Sequence, residues 1–227
     1  MKNKKTIRMT KSMCLAGIAF ALLAVAATAE AQDREDRWEF TLGTFYQLGI
    51  SADGQGGSTL DTDDDFGLSI GGAYNFTDRL ATSFAFQWAG VGYDGKTVDD
   101  DGGVTRIYGS YDSLALSANG VFFLTEGQLA PYVGAGIGWT WIDTNIPDGL
   151  PSGGCWWDPW WGYVCSYNYP TKKKSGFSYQ ATLGLRYTFD SDRTFLQGGY
   201  TSQWMDIGDT DSTPRFDVIR LEFGWIF

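Results

Sequence analysis

The chain has 227 residues, 17 basic and 27 acidic side chains, no histidine, and a formal net charge of −10. That acidity argues against nucleic acid as a partner, and the missing histidine excludes a Ser-His-Asp mechanism. Thirty glycines and 16% aromatic residues suit strands far better than helices.

The first element reads as a secretory leader over residues 1–31. Lys2, Lys4, Lys5, Arg8 and Lys11 precede an apolar run from Met13 to Ala27, and Ala29-Glu30-Ala31 supplies a small-x-small cleavage site. The run is too short and too small-sided for a membrane helix. Cys14 is expected to leave with the leader. Cleavage removes five basic residues and one acidic residue, so the mature chain carries about −14.

Eight alternating segments follow in chain order: Trp38 to Ile50, Phe66 to Thr77, Leu80 to Val91, Ser113 to Phe123, Pro131 to Ile142, Phe177 to Phe189, Thr194 to Trp204, and Arg215 to Phe227. Alternation puts one set of side chains on each face of a strand. In the segment from Phe177, one face carries Phe177, Tyr179, Leu183, Leu185, Tyr187 and Phe189, and the other Ser178, Gln180, Thr182, Gly184 and Arg186. Each segment has about the 9–11 residues that a tilted membrane strand needs. The connectors alternate between short ones, such as Asp78-Arg79, and long ones, such as 143–176.

Side-chain size decides which face points inward. An eight-stranded barrel has an interior just wide enough to be filled by side chains. Trp, Phe, Tyr and Leu at nearly every position would overfill it, whereas the Gly, Ser, Ala, Thr and Gln faces fit. The fold expected is therefore all-β: an eight-stranded antiparallel transmembrane β-barrel with short periplasmic turns and long extracellular loops. Residues 32–37 would be a short periplasmic segment and 38–227 the barrel, with 143–176 as an extracellular loop.

Three motifs carry a family resemblance. The last strand ends Phe223-Gly224-Trp225-Ile226-Phe227 and resembles the closing strand of bacterial outer-membrane barrels. Ala130 to Gly138 (APYVGAGIG) and Gly72 to Leu80 (GAYNFTDRL) resemble strand and turn motifs of small barrels of the OmpA, OmpW and opacity-protein kind. The resemblance implies a porin-family protein integral to the outer membrane of a Gram-negative cell, in contact with lipid and lipopolysaccharide. It also implies that the barrel-assembly machinery reads Phe227.

Several residues are candidates for function. Glu39, Arg186, Arg220 and Glu222 fall on the inward face, two of each sign, and a charge inside a narrow barrel needs a partner. They are expected to form an interior charge network that plugs the lumen or gates a narrow pore. Cys155 and Cys165 are the cysteines left after the leader, in an oxidising compartment, and a disulfide between them is expected. It would close a loop holding Trp156, Trp157, Trp160, Trp161 and Tyr163, an apolar cluster of the kind that marks a contact surface. An external glycan or cell-surface ligand is the expected partner for those rings. Asp61-x-Asp63-x-Asp65 opens like a calcium loop, but Phe66 and Gly72 break that pattern, so no metal and no cofactor are expected. No spacing singles out a carboxylate pair, so enzyme activity is not expected. The function expected is a structural or surface-interaction barrel with the Trp-rich loop as contact element. The alternative is a narrow porin-like channel or conduit for small or hydrophobic solutes.

Overall fold

The structure is a computed structural model that describes residues 34–53, 57–98, 103–150, 152–189, 193–206 and 213–227. The expected leader, residues 1–31, lies outside the described residues, as do residues 32 and 33 of the short segment before the barrel. The described elements run β1 (Trp38–Gln47), β2 (Ser51–Asp53), β3 (Thr59–Thr62), β4 (Asp65–Asn75), β5 (Leu80–Val98) and β6 (Val104–Phe123). They continue through β7 (Leu129–Pro147), β8 (Ser152–Asp158), β9 (Gly162–Asn168), β10 (Thr171–Thr188), β11 (Thr194–Asp206) and β12 (Arg215–Ile226).

Eight of these strands close a ring in the order β5, β4, β1, β12, β11, β10, β7, β6 and back to β5. Every neighbouring pair in the ring is antiparallel. Closure leaves no open edge in the ring, which lets a sheet satisfy its backbone inside lipid. Strands β1 and β12 make the joint between the two ends of the chain. Glu39 lies opposite Ile226 there, and the Phe227 amide donates to the Trp38 carbonyl at 2.8 Å.

One end of the ring has tight turns. The Thr77 hydroxyl oxygen accepts from the amides of Arg79 and Leu80 at 3.2 and 3.0 Å, which fixes the β4–β5 turn. Arg79 and Glu126 form an exposed ion pair between two such turns at 2.7 Å.

At the other end the strands run further than alternation indicates. The β5–β6 pairing extends from Leu80↔Phe122 out to Val98↔Val104, and β7 and β10 stay paired to Pro147↔Thr171. The long connectors are thus partly strand, and β2, β3, β8 and β9 also lie within them. Backbone pairing does not require apolar side chains. The apolar pattern fades where there is no longer an apolar surround to match, while the ladder continues.

The face assignment follows side-chain size. Trp38, Phe66, Leu68, Phe84, Leu183 and Leu221 are exposed on the outside of the ring. Gln47, Ser69, Gln87, Gln180, Thr188 and Thr201 are buried within it. Rings touch in sequence around the short-turn rim, from Trp38 to Tyr74 to Phe76, and from Tyr187 through Phe189 and Phe223 to Trp225 and Phe40. Tyr46–Phe66 and the stacked Tyr179–Trp204 pair lie nearer the other rim. Two such belts are what the interfaces of a bilayer favour.

Several large side chains also point inward. Phe45, Tyr132 and Phe195 are buried, and each faces a glycine on the next strand: Gly67, Gly184 and Gly224. A Cβ at Gly67 would come within 2.2 Å of the Phe45 ring, and one at Gly224 within 2.1 Å of the Phe195 ring. Glycine is therefore required there for space.

Candidate functional site

Two features could carry function: the filled lumen and the hairpin of β8 and β9. The lumen is layered. At the short-turn end, Ala81, Phe123, Ala130 and Tyr132 pack as one apolar cluster. Towards the opposite end, Phe45, Ala89, Val91 and Val218 pack as a second, with Tyr111 against them. Between these layers lie buried polar and charged groups.

The expected interior charges separate into distinct environments. Glu39 on β1 and Arg186 on β10 form a buried ion pair, with Arg186 fully shielded from solvent. The other Glu39 oxygen accepts from Asn75 Nδ2 at 2.7 Å. The Arg186 guanidinium lies 3.5 Å from the Phe195 ring centroid and 5.0 Å from that of Phe123. Glu222 accepts from Gln197 Nε2 at 2.6 Å and from the Ser69 hydroxyl at 3.2 Å. With the Gln87 amide turned so that its oxygen faces Arg220, that oxygen accepts from both terminal nitrogens of Arg220, at 2.8 and 3.3 Å. Glu39 and Arg186 are thus brought together, whereas Glu222 and Arg220 are each served by neutral side chains.

Arg34 is a further interior cation that the alternation of strand faces does not reveal. It precedes β1, yet it is buried, at 1% relative exposure. Its amide donates to Asp78 Oδ1 at 2.8 Å, its Nη2 donates to the Gly127 carbonyl at 2.9 Å, and its guanidinium lies 4.7 Å from the Phe123 ring centroid. Burial pushes its pKa down to about 10, with the charge of Arg186 as the second cause. The segment before β1 therefore caps the short-turn mouth with a second cation. Nothing in the local sequence signals this, because an arginine within the charged run 33–37 reads as solvated.

Two small cavities lie inside the ring. One cavity of about 70 Å³ is lined by Glu39, Asn119, Tyr132, Gln197, Arg220 and Glu222. Another, of about 30 Å³, lies among Gln47, Gln87, Tyr111 and Gln203. Such volumes hold a few waters at most.

At the long-loop end, β8 and β9 form a two-stranded sheet of their own. Cys155 and Cys165 are directly opposed in it and joined by a disulfide. Trp157 pairs with Tyr163 on the disulfide's face, and Trp156 pairs with Val164 on the other. Asp158 lies opposite Gly162, so Pro159, Trp160 and Trp161 make the tip. Asp158 Oδ1 accepts from the amides of Trp160 and Trp161, at 2.8 and 2.9 Å. Gly162 has φ of +75°, the left-handed conformation that closes a three-residue hairpin loop. Trp160 and Trp161 are 85% and 84% exposed, and Trp156, Trp157 and Tyr163 are also exposed.

The acidic connector between β1 and β4 has a structural role. Asp64 Oδ1 accepts from the Gly49 amide at 2.6 Å, and its Oδ2 accepts from the Tyr46 hydroxyl at 2.8 Å. These bonds hold the Asp64 carboxyl below its usual pKa. Among the described residues, no group of three or more His, Cys, Asp or Glu side chains is placed to hold a metal ion.

The family model described as outer membrane protein beta-barrel domain matches residues 18–227. The chain belongs to that family. This family barrel is accordingly integral to the outer membrane, and its exposed apolar belt faces lipid. OprG from Pseudomonas aeruginosa is similar in structure, at 14% identity over 86% of this chain and 97% of its own, with a TM-score of 0.52. Neisserial surface protein A is similar at 12% identity over 85% of this chain and 98% of its own, with a TM-score of 0.51. At such identities these likenesses show the fold alone. No curated protein matches the chain in sequence.

Proposed function

We propose that this barrel is a surface-contact protein whose lumen is plugged and whose disulfide-closed hairpin is the contact element. The observation that carries this reading is the tip. Trp160 and Trp161 are almost fully exposed, yet their backbone is fixed by the Asp158 cap, Gly162 and the disulfide behind them. A rigid aromatic tip loses little conformational entropy on binding, so its apolar area is available for affinity. The leader of residues 1–31, delivery through Phe227 to the barrel-assembly machinery and contact with lipopolysaccharide belong to the same proposal.

The conduit reading draws support from the polar middle layer, where Arg220 and Glu222 line the larger cavity. The apolar layers around Phe45 and Phe123 weigh against it. Two measurements separate the readings. Attachment of cells displaying the barrel to a panel of surfaces should fall on Trp160→Ser/Trp161→Ser. Planar-bilayer recordings should be silent for both the wild type and Arg220→Ala. Discrete openings that grow in Arg220→Ala, with attachment unchanged, would replace the contact reading with the conduit.

A further inference from the structure

Residues 149–171 contain one charged side chain, Asp158, in a chain of net charge −10. Asp158 is turned to its own backbone, where one oxygen caps the Trp160 and Trp161 amides. The same stretch carries four of the ten tryptophans and three tyrosines. Leu150 and Tyr169 at its base are exposed too. The hairpin is thus a neutral aromatic element on an acidic barrel.

Its geometry is all-round. Trp157 and Tyr163 occupy one face, Trp156 and Val164 the other, and Trp160 and Trp161 the end. A sugar-binding platform offers one flat aromatic face flanked by polar groups for hydroxyls. An element with rings on both faces and at its end suits a medium that surrounds it. Tryptophan and tyrosine favour the interfacial zone of a bilayer, where an apolar ring and a polar N–H or O–H are both accommodated. The strands are seven residues each, so the tip stands about 23 Å beyond Ser152 along the hairpin. Charge selects among membranes: a barrel this acidic is repelled by an anionic surface, and a neutral one carries no such penalty.

We infer that the Pro159–Trp161 tip inserts into the interfacial zone of a second, apposed bilayer rich in zwitterionic lipid. This rests on the contact reading above and names the chemistry of the partner. The test uses the mature protein held in amphipol, without lipid, mixed with phosphatidylcholine vesicles and floated on a density gradient. Brominated phosphatidylcholine reports ring insertion by fluorescence quenching. The wild type should float with phosphatidylcholine and be quenched, and should float less with phosphatidylglycerol vesicles, most clearly at low salt. Trp160→Ser/Trp161→Ser should bind about tenfold more weakly or worse, while Trp161→Phe keeps most of the binding.

No flotation of the wild type overturns the inference, as does flotation that survives the double substitution. Retention on neutral dextran beads in place of vesicles also overturns it, in favour of a glycan. Cell attachment measured on the same variants separates the contact role of the hairpin from the lipid as its partner. Attachment that needs Trp160 and Trp161 without vesicle binding would leave the contact reading standing and remove only the lipid.

Discussion

Replacing Glu39 by Gln should destabilise the barrel more than any surface substitution of similar size. Glu39 and Arg186 are both shielded from water, and the pair joins β1 to β10 across the lumen. Removing one partner of a buried pair leaves an uncompensated charge and costs about 3–5 kcal/mol. Here the cost should fall in the upper half of that range. Glu39 also opposes the charge of Arg34, so its loss leaves two cations near the Phe123 ring. Against a total stability of about 5–15 kcal/mol, that is a large share. Adding Arg186→Met should recover most of the loss, because a matched apolar replacement of a buried pair is often neutral or stabilising. The assay is urea unfolding of the refolded barrel in phospholipid vesicles, followed by tryptophan emission and by the gel mobility of folded and unfolded forms. A loss below about 1 kcal/mol for Glu39→Gln, or a double variant no better than the single one, would refute the reasoning.

Three further outcomes follow from the geometry. Gly67→Ala should lower the unfolding midpoint by an overpacking cost of about 1–3 kcal/mol, and Phe45→Leu should relieve part of it in a double-mutant cycle. Joint replacement of Cys155 and Cys165 by Ser should weaken the hairpin by about 3 kcal/mol in the chain-entropy account, for a separation of 10 residues. Amide exchange should then rise in β8 and β9 and stay unchanged in the ring; faster exchange throughout would contradict a local role. The Asp64 carboxyl has a lowered folded pKa, so its contribution is present above its unfolded value of 3.8 and is lost as pH falls through the folded one. The Gly49 amide resonance should report that titration below pH 3.8, and a midpoint at or above 3.8 would remove the proposed bond.

The candidate site was unevenly legible. The density of tryptophans between Cys155 and Cys165 marks one loop in the sequence. The paired strands, the Asp158 cap and the two-faced placement of rings needed the register to appear. The four interior charges were read by parity, because inward and outward positions alternate without interruption. Parity carries no partner information, so the pairing of Glu39 with Arg186, 147 residues apart, was beyond it. Arg34 left no trace at all, since what buries it is the mouth formed by distant turns.

The number of strands in the ring, the face that meets lipid and the alternation of short and long connectors are legible in the sequence alone, whereas β2, β3, β8 and β9, within the long connectors, are not. The first three depend on local period and side-chain size, which are properties of neighbouring residues. Which glycine faces Phe45, Tyr132 and Phe195, how far the paired strands run past the apolar belt, and which interior charges meet emerge only from the folded ring. Those depend on cross-strand register and ring closure. Register joins residues far apart in the chain, and one residue of slip would exchange every inward side chain for an outward one.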